Sequence, residues 1–146
     1  MEHHDALPKV RRLILIVLVF GLVGTAAELL FLGHNQGLSQ LVPIVLIASA
    51  LIVVGWHVAS RTPSSLTAMR VVMVAFIASG AVGIVLHFNG SAEFQSEIDP
   101  SIQGIELFRK VLHSKTPPAL APGLMAQLGL LGLAYAYRHP TERSDQ

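Results

Sequence analysis

Four apolar runs, separated by short polar stretches, set out the whole chain. They extend from Leu13 to Gly33, Leu41 to Ala59, Thr67 to Phe88 and Ala119 to Tyr137. Coiled as helices, at about 1.5 Å per residue, each run is long enough for the roughly 30 Å hydrocarbon core of a bilayer. Glu28 is the single formal charge between Arg12 and Arg61. The pattern predicts an all-α integral membrane four-helix bundle, one membrane domain over residues 1–146.

The joints between the runs carry their own signals. His34 to Gln40 is a polar, turn-forming connection, and Pro43 is expected in the first turn of the second span, where a missing N–H costs little. Ser60 to Ser65 is a tight loop, and Arg70, just inside the third span, can snorkel to the headgroups. After His87 the chain offers Asn89-Gly90, which reads as a turn, and then Glu93, Glu97 and Asp99. Within the long connection 89–118, Ile102, Ile105, Phe108, Val111 and Leu112 recur at helical spacing. They predict a short amphipathic helix over Pro100 to His113. It either lies on the membrane surface or caps the end of the bundle. The first run also resembles a secretory leader, with a basic head and Thr25-Ala26-Ala27. Its apolar character continues through Leu29 to Leu32, so a retained span is expected.

Composition agrees with lipid as the solvent. The chain is 52% hydrophobic and 13% charged, with a mean hydropathy of +0.59. Soluble domains carry about 25% charged residues. A net charge of +1 recommends no nucleic acid as partner, and the absence of cysteine removes disulfides and thiolate-ligated metal clusters. Lys9, Arg11, Arg12, Arg61, Arg70, Arg138 and Arg143 fall on one side of the four-span arrangement, and Arg109, Lys110 and Lys115 on the other. The excess of Lys and Arg predicts that both termini are cytoplasmic, in the inner membrane if the source is bacterial.

Contact between helices in lipid depends on small residues and polar pairs. Stripes of this kind are Gly21, Thr25 and Glu28 in the first span, Gly80, Gly83 and His87 in the third, and Gly129, Gly132 and Ala136 in the fourth. They are read first as places where backbones approach.

The candidate chemistry gathers at the outer edge. Glu28 and His87 occupy the last turns of spans one and three, with His34 and Glu93 just beyond. An acid at lipid depth needs protonation, a partner or a metal. Carboxylate and imidazole suit zinc, iron, copper or manganese, so Glu28, His34, His87 and Glu93 form the candidate metal site. No tight ligand motif is present. Alternatively Glu28 pairs with a histidine or with Gln40 or Gln127. A haem held by His34 and His87 is a third reading. His57, beside Trp56, reads as an interfacial residue, His139 as part of the polar tail, and Tyr135 and Tyr137 as an aromatic belt. Mid-membrane Ser49 and Ser79 are expected to bond the preceding turn, which leaves no catalytic residue to name. From a different class, the chain reads as an accessory subunit, contacting other membrane subunits or copies of itself. The predicted topology has a direct test: a reporter fused after Gln146 is expected in the cytoplasm and one inserted near Gly90 outside, and the reverse pattern overturns the orientation.

Overall fold

The computed structural model describes residues 3–33, 37–114 and 119–143. These residues form five α-helices: α1 (His3–Phe31), α2 (Leu38–Ser60), α3 (Pro63–Ile98), α4 (Gly104–Leu112) and α5 (Leu120–Ala136), followed by a 3-10 turn (Pro140–Arg143). No strand occurs among the described residues. Three helices are long and apolar enough to cross a membrane: α1, from Ala6, α2 and α3. Only 17–22% of each apolar window is buried inside the protein, so most of that apolar surface faces outward. α5 is equally apolar but has 17 residues, about 25 Å of helix.

Local chemistry explains the helix ends. α2 starts at Leu38, earlier than predicted, behind Gly37 in an extended conformation. Pro43 therefore lies in the second turn, not the first, and supplies no N–H to the Ser39 carbonyl. α2 stops where Arg61 turns left-handed at φ 49°, with its N–H on the His57 carbonyl. Thr62 then caps α3, its hydroxyl accepting from the Ser65 N–H at 3.3 Å, and Pro63 follows at the first helical position. The result is a sharp two-residue reversal between α2 and α3.

The predicted turn at Asn89-Gly90 does not form. α3 runs unbroken for 36 residues, about 54 Å, through both. An Asn-Gly pair turns a chain when strand pairing reinforces it. Here Ala92, Glu93, Phe94 and Gln95 follow, and they sustain a helix. Pro100 ends it instead, forcing Asp99 into an extended conformation at φ −139°. The Ser101 hydroxyl and N–H donate to the Asp99 carboxylate at 2.6 and 3.1 Å and hold its pKa below the usual carboxylate range. The support that these bonds lend to this corner exists at neutral pH and fades as pH falls through that depressed value.

α4 is shorter than the predicted Pro100 to His113 and packs back on α3. Ile102 and Val111 are buried, and Phe108 meets Phe88 at 5.5 Å between ring centroids. Ile105, Phe108 and Leu112 stay exposed along the other edge. The His113 Nδ1–H donates to the Arg109 carbonyl and closes the helix.

The core is a column of Leu18 and Leu22 from α1, Ile47, Ala50 and Val54 from α2, Met69, Met73 and Phe76 from α3, and Met125 and Leu128 from α5. α1 and α3 each touch both α2 and α5. The closest approach is between α3 and α5, at the glycines. A Cβ on Gly80 would sit 2.7 Å from the Pro122 carbonyl oxygen, and one on Gly129 would sit 2.6 Å from the Met73 carbonyl oxygen. A Cβ on Gly132 would overlap the Met73 sulfur. These positions confirm the glycine stripes as contact faces. Two substitutions separate a contact glycine from a merely helical one. Gly129→Ala is expected to destabilise by about 1–3 kcal/mol through overpacking. Gly90→Ala, with nothing within 4 Å of the new methyl, is expected to stabilise α3 by about 0.5–1 kcal/mol. Thermal unfolding in detergent reads both, and a destabilised Gly90→Ala would restore the turn.

Candidate functional site

α1, α2, α3 and α5 diverge at one end and leave a cavity of about 980 Å³ between them. Its walls are mainly apolar: Leu29 and Leu32 from α1, Val42 from α2, Val82 and Leu86 from α3, Leu124 from α5. Pro43 and Pro122 form part of the lining, where a ring replaces a longer side chain. Gly83 lets the Pro122 ring come close, since a Cβ there would be 2.9 Å from it. The polar groups are Glu28 from α1, Ser39 and Gln40 from α2, Ser79, His87, Ser91 and Gln95 from α3, and Ser114 after α4, with Thr25 at the floor. The Thr25 hydroxyl at the cavity floor is already donated to the Gly21 carbonyl at 2.8 Å, as Ser49 bonds Val45, which follows the habit of hydroxyls in spanning helices.

Two of the four predicted site residues meet here. Glu28 and His87 line the same cavity, and the helical register that put both on the last turns of their spans is the reason. Glu93 is exposed, further along the extended α3, and does not line the cavity. With α3 continuous through Gly90, the chain never folds Glu93 back over His87. His34 lies outside the described residues. Among the described residues, no three His, Asp or Glu side chains come together as a metal-holding group. Gln127, the other expected partner of Glu28, is exposed and away from the cavity, whereas Gln40 lines it. Among the described residues nothing hydrogen-bonds or ion-pairs with the Glu28 carboxylate. Neither Lys nor Arg occurs in the described lining.

The opposite end of the molecule contains a site that the sequence pattern does not announce. His57, expected at the interface, is 1% exposed. Its Nδ1 lies 2.9 Å from the Ser65 hydroxyl, and its Nε2 is buried with no partner. Tyr135 and His139 pack edge-on against it, at 5.8 and 5.1 Å between ring centroids. Tyr135 is thus a buried wall and not a belt residue; Tyr137 remains exposed, under the Arg138 guanidinium. Arg70 does not snorkel outward but donates to the Ala136 carbonyl at 2.6 Å, and Arg11 reaches the carbonyls of Tyr137 and Arg138 at 3.1 and 2.8 Å. These arginines satisfy the orphan acceptors at the end of α5 and complement its dipole. They also bring the basic head of α1 and the tail of α5 to one level. The spacing that could have revealed this site is the hydrogen-bonded pair His57 and Ser65 flanking the tight α2–α3 reversal.

No family model, curated protein or solved structure matches the chain, so its function rests on the residues and their geometry. The α5 cap is itself testable. Arg70→Ala leaves the Ala136 carbonyl without that donor and is expected to destabilise by about 1–3 kcal/mol, while Arg70→Lys, which keeps one donor, recovers part of it; equal stability of all three proteins in thermal unfolding would remove the cap from the account.

Proposed function

We propose that the chain is a four-span membrane protein with both termini in the cytoplasm, and that its cavity on the far side takes up a cationic amphiphile from the bilayer. α5 serves as the fourth span: it is short, and a bilayer accommodates a short span by local thinning. The hydrogen bonds from Arg11 to the end of α5 favour an even number of crossings. The concentration of Lys and Arg at that end favours the cytoplasm.

One observation carries the ligand reading. The Glu28 carboxylate opens into a mostly apolar cavity with no cationic side chain among the described lining residues. A carboxylate beside apolar walls at lipid depth attracts a cation more strongly than one in bulk water. A cavity of this size and lining matches that of small-molecule sites, with apolar walls to hold a hydrocarbon body and a few polar groups to orient its head. A protonated amine would donate to Glu28 on α1, with Gln40 on α2 and His87 on α3 lining the same cavity. A transition metal is the second reading. It is favoured by the presence of both a carboxylate and an imidazole on the one cavity, and it needs His34 or solvent to complete the ligand set.

The two readings part in one experiment on the full chain in lipid nanodiscs. A fluorescent lipophilic cation is titrated against the wild type and Glu28→Gln, and each protein is analysed for metal. Cation binding that weakens at least about tenfold in Glu28→Gln, equivalent to about 1.4 kcal/mol, supports the amphiphile. Bound metal that is lost in both Glu28→Gln and His87→Ala shifts the assignment to the metal. Cation binding unchanged by Glu28→Gln, with no metal present, overturns both.

A further inference from the structure

We propose that His57 Nε2 is a proton-binding site that controls the docking of the segment Tyr135 to Arg143 on the end of α2. The hydrogen bonds around the imidazole set its tautomer. The Ser65 hydroxyl has a single hydrogen, and it donates to the Thr62 carbonyl at 2.8 Å. Ser65 Oγ therefore accepts from His57, whose Nδ1 carries the proton at 2.9 Å. Nε2 is left as a bare lone pair in a side chain that is 1% exposed. A fixed N–H on one side and an unpartnered basic nitrogen on the other is the arrangement of an imidazole ready to accept a proton.

The surroundings determine what the proton does. His57 is walled by the rings of Tyr135 and His139, which also touch each other at 5.1 Å. His139 Nδ1 is occupied by the Thr141 hydroxyl and N–H at 3.0 and 3.3 Å, and Thr141 is buried. The segment after α5 is tied to α1 by Arg11 and touches α3, and it meets α2 through the neutral His57 ring. Among the described side chains, the charged groups at this end are all cationic: Lys9, Arg11 and Arg12 on α1, Arg61 at the end of α2, Arg70 on α3 and Arg138 after α5. A proton on Nε2 adds a buried cation to that group, together with a new N–H that has no acceptor among the described residues. The docked state therefore belongs to neutral His57. Acidification that protonates Nε2 releases the segment. The site draws its proton from the face that carries the termini, away from the Glu28 cavity, so it is independent of any ligand bound there.

The test uses the full chain in nanodiscs and its single tryptophan, Trp56, which adjoins His57 and is 45% exposed. Imidazole nitrogen-15 NMR at pH 8 is expected to show His57 protonated at Nδ1 and bare at Nε2. As the pH is lowered from 8, His57 protonates in one step, and acrylamide quenching of Trp56 rises at least about twofold along the same curve. In His57→Gln, whose amide can still donate to Ser65, the quenching step is lost, and in His139→Gln it persists. An Nε2-protonated tautomer at pH 8, a flat Trp56 response in the wild type, or a step that survives His57→Gln overturns the proposal. A step that vanishes in His139→Gln while His57 stays neutral does the same and assigns the proton to His139. If His57→Gln does not fold, the wild-type NMR titration decides alone.

Discussion

The backbone contact between α3 and α5 is the constraint on which the rest of the arrangement depends. Gly80 admits the Pro122 carbonyl, Gly129 admits the Met73 carbonyl, and Gly132 admits the Met73 side chain. In lipid, apolar side chains gain nothing by leaving their surroundings for each other, so close packing has to supply the attraction. Methyl-sized gaps on one helix, filled by the backbone of its neighbour, provide many dispersion contacts with little side-chain entropy to lose. α1 joins the same seam where Gly21 faces Leu128. α2 is attached differently, by the two-residue reversal at Arg61-Thr62 and by Ile47, Ala50 and Val54 in the core.

That seam makes the two ends of the molecule unlike. At the end with the termini, α5 finishes against α3 and α1, and arginines from both close its last carbonyls. The polar groups there are mostly paired, and His57 Nε2 stands out as the buried exception. At the other end, Pro43 and Pro122 shorten the walls, and the helices part around Glu28 and His87. The connection through α3 and α4 roofs this side, as Gln95 and Ser114 reach the lining. A tightly closed end thus fixes the helices, and the open end is free to hold a ligand. A buried nitrogen without a partner, such as His57 Nε2, reduces stability and is commonly retained where it does something.

The apolar runs alone were enough to mark every long helix, because a long stretch with almost no charge satisfies its backbone in lipid only as a helix. The amphipathic spacing of Ile102 to Leu112 marked α4, and the glycine stripes marked contact faces, since both depend on a period of 3.6 residues that is local to each helix. That Glu28 and His87 line one cavity was legible for the same reason: each lies near the end of a run, and the two runs lead to the same side.

Other features belonged to the tertiary structure alone. Asn89-Gly90 stayed helical because no neighbouring strand rewarded a turn, and this carried Glu93 away from the cavity. Burial of His57 and Tyr135 required α2, α5 and the tail to converge, and the contacts of the His57 ring with Tyr135 and His139, distant in sequence, leave no local period. Arg70 likewise took the Ala136 carbonyl in place of a headgroup only because the glycine seam placed the end of α5 beside it. Helix identity is written in the chain's own periodicity. The pairing of polar groups is decided by which helix ends the packing brings together, since an unpaired buried donor or acceptor costs far more than any local preference.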